Sequence, residues 1–219
     1  MKWLAKMEYK YGNKAPQRLM VLIAGGQIVV WLGMMLFNQF LPMQLDLFRD
    51  PVLHGQIWRL VSFLFVPVNG SANPLFFALA VYLIYWIGNS LENAWGSFKF
   101  DAYLAFGVLG GWLACLLTGY SGAMTIWYSF FFAFAYLYPD VQLMLFFIIP
   151  VKVKWLGIFA GALYVLNILF SGSLLLSLSM IVGMLNFVLF FARGGIHTLK
   201  RNLEQRRRRR EWQNQWRNQ

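Results

Sequence analysis

The sequence is poor in the residues that carry chemistry. It has two histidines, one cysteine and eight acidic residues among 219 positions. A lone cysteine, Cys115, allows no disulfide and says nothing about redox compartment. The histidines, His54 and His197, fall on opposite sides of the membrane in the topology derived below, and Cys115 lies inside an apolar run. No set of three or four metal ligands can then assemble within one chain, so no metal is expected. Phosphate loops and dinucleotide fingerprints are missing, and no cofactor is expected. Charge is scarce too: 12% of residues are charged and 59% are hydrophobic, which excludes an ordinary soluble domain.

What the sequence has instead is a series of long apolar runs. Leu19 to Leu41, Pro74 to Leu91, Phe100 to Thr118, Tyr120 to Tyr138, Val153 to Phe170 and Ser173 to Ala192 are each close to the roughly 20 residues that cross about 30 Å of hydrocarbon. The expected fold is all-α, a polytopic bundle of six transmembrane helices with both ends on one side. Three regions follow: a basic amphipathic segment 1–18, a membrane domain 19–192 and an arginine-rich tail 193–219. No cleavable signal is expected before the first run, which is too long and lacks a small-residue cleavage site.

Cations set the orientation. Of 19 lysines and arginines, all but Arg49 and Arg59 fall on the side of the termini, so that side is read as cytoplasmic. The run Arg206, Arg207, Arg208, Arg209, Arg210, followed by Trp212 and Trp216, suits contact with anionic headgroups, worth about 1 kcal/mol per basic residue. No specific nucleic acid is expected as a partner. At the other terminus Trp3, Leu4, Met7 and Tyr11 recur at helical spacing opposite Lys2, Lys6, Lys10 and Lys14, a pattern for a helix lying on the inner leaflet or for a simple stop-transfer flank.

The loop Pro42 to Asn73 is half apolar and contains Trp58 and Arg59. Trp suits headgroup depth, and the five guanidinium donors suit folded carbonyls where water is scarce, so this pair is read as a structural clamp. Leu143 to Ile149 is apolar but only seven residues long and ends at Pro150; it is expected to lie along the inner interface without crossing. Within the spans, Gly107-x-x-x-Gly111 and Gly157-x-x-x-Gly161 permit close helix approach. Gln27, Asn167, Ser177, Ser179 and Asn186 are neutral groups suited to bridging helices, Asn186 as a polar pin in span six. Almost no ionisable group lies inside a span, which argues against a transporter or channel.

Four motifs occur in order: Gly55-Gln56-Ile57-Trp58-Arg59, Leu91-Glu92-Asn93-Ala94-Trp95-Gly96, Gly119-Tyr120-Ser121-Gly122 and Tyr138-Pro139-Asp140. Together they cover nearly the whole chain, which resembles the rhomboid superfamily of intramembrane serine proteases. The resemblance implies a six-helix core with the Trp-Arg loop beside it and Glu92 holding the cytoplasmic helix ends together. It also implies Ser121 as nucleophile within the Gly119 to Gly122 quartet, with a histidine in span six. Here that stretch reads Ser177-Leu178-Ser179-Met180-Ile181-Val182-Gly183, with Met180 where the base belongs; the pattern is similar to the inactive, Derlin-like members. His54 shares the outer side with Ser121 but reads as an exposed or clamp residue.

Depth points the same way. From Ser121 to Pro139 is 18 residues, roughly 27 Å of helix, which puts Ser121 near the outer surface and makes the quartet an ordinary tight turn. An active rhomboid holds its serine lower, at the top of a shortened fourth helix. The expected function is therefore that of a pseudoprotease, not an enzyme, binding transmembrane segments of client membrane proteins for quality control, escort or retention. The alternative is an active intramembrane serine endopeptidase using Ser121. Partners are client transmembrane segments and the lipid bilayer, in a bacterial inner membrane or, alternatively, the endoplasmic reticulum.

Overall fold

The computed structural model describes residues 16, 18–68, 73–145 and 149–191; the basic amino-terminal segment and the arginine-rich tail lie outside the described residues. The chain is mostly helical. Helices α1 (Leu19–Leu36), α2 (Pro74–Trp95), α3 (Ser97–Thr118) and α5 (Val153–Phe170) are long and apolar enough to cross a bilayer. A fifth crossing is available if α6 (Leu174–Gly183) and α7 (Leu185–Phe191), bent by 46° at Met184, are one broken span. Apart from short helical turns in the loop after α1, the remaining described helix, α4 (Met124–Leu137), has 14 residues. At 1.5 Å per residue it rises about 21 Å, well short of the hydrocarbon thickness. The chain is a multi-pass membrane protein by helix length and composition.

Local chemistry explains where these helices stop. At the head of α2, Pro74 occupies the first turn, where its missing N–H costs nothing, and Asn73 accepts the Leu75 amide at 3.0 Å. Gly96, at φ +82, separates α2 from α3, and Gly119, at φ +87, ends α3 with its amide on the Cys115 carbonyl at 2.7 Å. The first span ends at Leu36, five residues before its sequence limit, because the chain turns at Asn38, whose side chain accepts the Phe40 amide. The fifth span keeps its expected limits. The sixth does not run unbroken from Ser173 to Ala192 as its hydropathy suggests.

Two poles frame the bundle. One holds Arg18, Glu92 and a two-stranded hairpin of β3 (Gln142–Leu145) and β4 (Ile149–Lys152); the other holds the loop between α1 and α2 and a short pairing of β1 (Leu47–Phe48) with β2 (Tyr120–Ser121). Of the seven-residue apolar run expected to lie flat along the interface, Leu143 to Leu145 and Ile149 are thus strand residues of this hairpin, and 146–148 lie outside the described residues. Leu143 pairs with Val151, and the hairpin base is tied to α5 by the Val153 amide on the Val141 carbonyl at 2.8 Å.

The core sits around α3 and α4. Phe100, Tyr103, Ile126, Phe130, Ala133 and Phe134 are fully enclosed. Their rings meet mainly tilted or edge to face, as Tyr103 and Trp95 do at 5.2 Å, the arrangement aromatic quadrupoles favour. Glycines let α3 approach its neighbours closely. A Cβ on Gly110 would stand 3.0 Å from the Val182 carbonyl oxygen, and one on Gly107 would stand 3.0 Å from the Asn186 amide nitrogen. The expected Gly107–Gly111 pair is therefore one edge of a stripe that also needs Gly110. Gly157 of the second pair packs on Ala135 of α4.

Candidate functional site

The serine quartet is best understood from its neighbours. Gly119 supplies the left-handed turn that ends α3, and its carbonyl accepts the Arg49 amide at 2.9 Å. Tyr120 and Ser121 then pair with Phe48 and Leu47, so the α1–α2 loop is stitched to the head of α4. Tyr120 folds back over Gly122, where a Cβ would stand 2.9 Å from its hydroxyl. Gly119 thus has a backbone reason to be glycine, and Gly122 gives room to the Tyr120 side chain.

Ser121 itself is buried, at 6% exposure. Helix does not run unbroken from Ser121 to Pro139, as a depth of roughly 27 Å requires, but only from Met124 to Leu137, and the serine is enclosed inside the protein. A Cβ on Gly111 would meet the Phe63 ring at 3.5 Å and the Ser121 hydroxyl at 3.6 Å, so the hydroxyl and the ring both lie beside the bare backbone of Gly111. Among the described residues no histidine or lysine bonds to it. His54 is exposed and its Nδ1 lies 2.7 Å from the Asp50 carbonyl oxygen of its own turn. A serine hydroxyl without a base is a weak nucleophile at neutral pH. Met180 supplies no base either; its carbonyl accepts the Tyr164 hydroxyl at 2.8 Å.

Arg59 organises the loop beside this turn. It is buried, donating Nη1 to the Met43 and Asp46 carbonyls at 2.9 and 2.7 Å and Nε to Gln56 at 2.7 Å, and its guanidinium lies over the Phe48 ring. Trp58, its sequence neighbour, points outward with more than half its surface exposed. Trp112 supports the same loop through its indole N–H on the Leu60 carbonyl. The Asp46 carboxyl, next to the clamp, is pushed up to about 6 by burial, against the pull of Tyr120's hydrogen bond and Arg59's charge. Tyr120 is raised as well, first by burial and then by Asp46.

At the opposite pole, Glu92 is buried and its Oε1 accepts the Arg18 amide at 3.2 Å and the Ser97 hydroxyl at 2.7 Å, which joins the head of α1 to the elbow between α2 and α3. In the interior, Asn186 donates to the Ser129 hydroxyl at 2.8 Å, and Tyr103 donates to the Ser129 carbonyl at 3.0 Å. Three helices, α3, α4 and α7, meet there. Gln27 joins α1 to the turn before α2 through the Leu64 carbonyl. Asn167 instead bonds the Leu163 carbonyl in its own helix.

A cleft of about 1260 Å³ opens between α2 and α5, with α4 as its floor. Leu75, Leu79 and Tyr82 form one wall, Phe159, Leu163 and Tyr164 the other, and Tyr128 and Phe131 rise from below. No acidic residue, lysine, arginine or histidine lines it; Tyr164 donates its hydroxyl to the Met180 carbonyl and Asn167 its amide to the Leu163 carbonyl, while Tyr82 and Tyr128 add two further hydroxyls to the lining. Ser121 is not among its lining residues; Met124, at the start of α4, is. Sequence reading missed this surface because its residues look like any lipid-facing helix positions. Only the shortness of α4 and the separation of α2 from α5 make a cleft of them.

Among the described residues no three histidine, cysteine or acidic side chains form a group that could hold a metal ion. No protein-family model matches the sequence, and no curated protein matches it.

Proposed function

We propose that this protein is a rhomboid-like pseudoprotease that binds transmembrane segments of client membrane proteins laterally, between α2 and α5, without cleaving them. The observation that carries the reading is the cleft: about 1260 Å³ of apolar surface over a short helix. Small-molecule sites are typically about 300–1,000 Å³ and place a few convergent polar groups. This one is larger, carries no charged side chain and is lined mainly by apolar and aromatic groups, which suits a hydrophobic polypeptide. Close packing of such a segment against Leu, Phe, Met and Ala side chains is the force that associates helices in lipid. In this reading the bundle has six helices, α6 and α7 together forming the last, with the Glu92 pole and both termini cytoplasmic. The arginine-rich tail then meets anionic headgroups on that side.

The alternative is an active intramembrane protease using Ser121. The shortness of α4, which begins three residues after Ser121, favours it. The surroundings of the hydroxyl, Phe63 and Gly111 with no base, weigh against it.

The test reconstitutes the protein in vesicles with a fluorescent transmembrane reporter peptide. Energy transfer between protein and peptide is expected for wild type and for Ser121→Ala alike, and to fall about tenfold for Ala160→Trp, which fills the cleft wall. Equal transfer for Ala160→Trp would sink the cleft. Peptide cleavage and fluorophosphonate labelling lost in Ser121→Ala, beside a working rhomboid control, would establish the protease instead.

A further inference from the structure

The cleft ends, at the Glu92 pole, on strand β3. Leu143 and Met144 are consecutive in that strand, so their side chains leave opposite faces, yet both line the cleft. A cavity that touches both faces of a strand reaches around its edge, and the other edge is covered by β4. The free edge of β3 therefore opens on the cleft.

The ladder fixes which backbone groups that edge offers. Met144 pairs with Pro150, and proline has no amide hydrogen, so this is a non-hydrogen-bonded pair. The flanking pairs, Leu143 with Val151 and Leu145 with Ile149, then carry the hydrogen bonds between the strands. By the same alternation Gln142 and Met144 turn their N–H and C=O away from β4. Among the described residues no backbone partner meets these groups, and Met144 is 65% exposed. The two edges are unequal: Pro150 removes a donor from the far edge of β4, the usual guard against strand pairing, while β3 has no such guard on the cleft side.

We propose that the β3 edge is a docking site for an extended juxtamembrane segment of the protein whose transmembrane helix occupies the cleft, added as a third strand through the outward N–H and C=O of Gln142 and Met144. The inference rests on the cleft reading above and adds a second, backbone-directed contact to it. Strand addition takes affinity from main-chain hydrogen bonds and tolerates many side chains, but requires an N–H on the incoming strand at each paired position. The hairpin is braced for this by the Lys152 to Asp140 ion pair at 3.1 Å and by the Lys154 amide on the Pro139 carbonyl. A client is then read twice, as a helix in lipid and as an extended stretch where it leaves the membrane.

The test uses three synthetic peptides in vesicles holding the full-length protein. All share one apolar transmembrane helix; one has Thr-Val repeats at both ends, one has the same repeats with alternate residues N-methylated, and one has no extensions. The first is expected to bind about tenfold more tightly than the other two and to slow amide exchange at Gln142 and Met144. Met144→Pro, which removes one outward amide at a position that donates nothing to β4, should erase that advantage, while Met144→Thr keeps it. Equal binding of the three peptides would overturn the edge proposal and leave the cleft standing. Binding of none would overturn both, and equal loss in Met144→Thr and Met144→Pro would make the contact one of side-chain packing and sink strand addition.

Discussion

Arg59 concentrates more structural consequence than any other single side chain in the loop between α1 and α2. Its guanidinium satisfies two backbone carbonyls and the Gln56 side chain from a buried position. Arg59→Ala leaves those acceptors without their partner and is expected to cost about 2–4 kcal/mol; Arg59→Lys should recover little, since an ammonium cannot reproduce the planar fork. Cys115 is buried and is the chain's single thiol, so a thiol-reactive dye followed on heating in detergent reports unfolding directly. An unchanged melting temperature in Arg59→Ala would contradict the clamp. Asp46 gives the same loop a pH dependence. Its carboxyl is raised to about 6 in the fold from an ordinary value near 3.8, so the folded state holds more protons between those limits. Stability from this group is full below about pH 4 and is lost as pH rises through about 6. Asp46→Asn should flatten that part of the melting-temperature profile, and an unaltered slope would show that Asp46 is not its source. Trp58 and Arg59 were legible together as a loop pair, but which of them is buried was not, because both suit an interface.

At the scale of elements, the broken sixth span is the feature hydropathy could not report. The bend at Met184 deprives the Met180 carbonyl of its usual helical partner, and the Tyr164 hydroxyl of α5 takes that role at 2.8 Å. On the far side of the bend, Asn186 accepts the Phe187 amide and donates to Ser129. The break is held from both sides and is therefore a built part of the fold. Tyr164→Phe should lower stability by about 1 kcal/mol, the scale of one interhelical hydrogen bond in lipid, and should raise amide exchange around Met184; exchange equal to wild type would mean the hydroxyl does not hold the bend. The glycine pairs were visible as a spacing, and in the fold Gly107 meets Ile126 of α4 and Asn186 of α7 while Gly157 and Gly161 meet α4. Gly110 escaped notice because Gly110 and Gly111 form a doublet, and spacing alone does not tell which of the two meets Val182.

For the whole molecule, the arrangement of poles makes a testable topology. Asn93, beside Glu92, and Asn38, in the loop after α1, are exposed at opposite ends of the bundle. With Cys115 buried, cysteines introduced at these two positions give a clean labelling background. In the proposed orientation a membrane-impermeant maleimide added outside intact cells labels Asn38→Cys and not Asn93→Cys; the reverse pattern would invert the topology, and labelling of both would undo the two-pole arrangement.

The sequence by itself determined the class of solvent each segment meets. Its scarcity of charge and its run lengths give a multi-pass membrane protein, the limits of α5, and the absence of any basic side chain in the last span. Tertiary structure alone decided that α4 is short, that Ser121 is enclosed beside Gly111, that Leu143 to Leu145 pair with Ile149 to Val151, and that α2 and α5 stand apart. The reason is physical. Hydropathy measures the cost of leaving water, and lipid and protein interior are both apolar. A sequence therefore tells which residues avoid water but not whether another helix, a lipid chain or a client fills the space beside them. That is settled by backbone approach at glycines, by where carbonyls find donors, and by the turn geometry that sets where each helix begins.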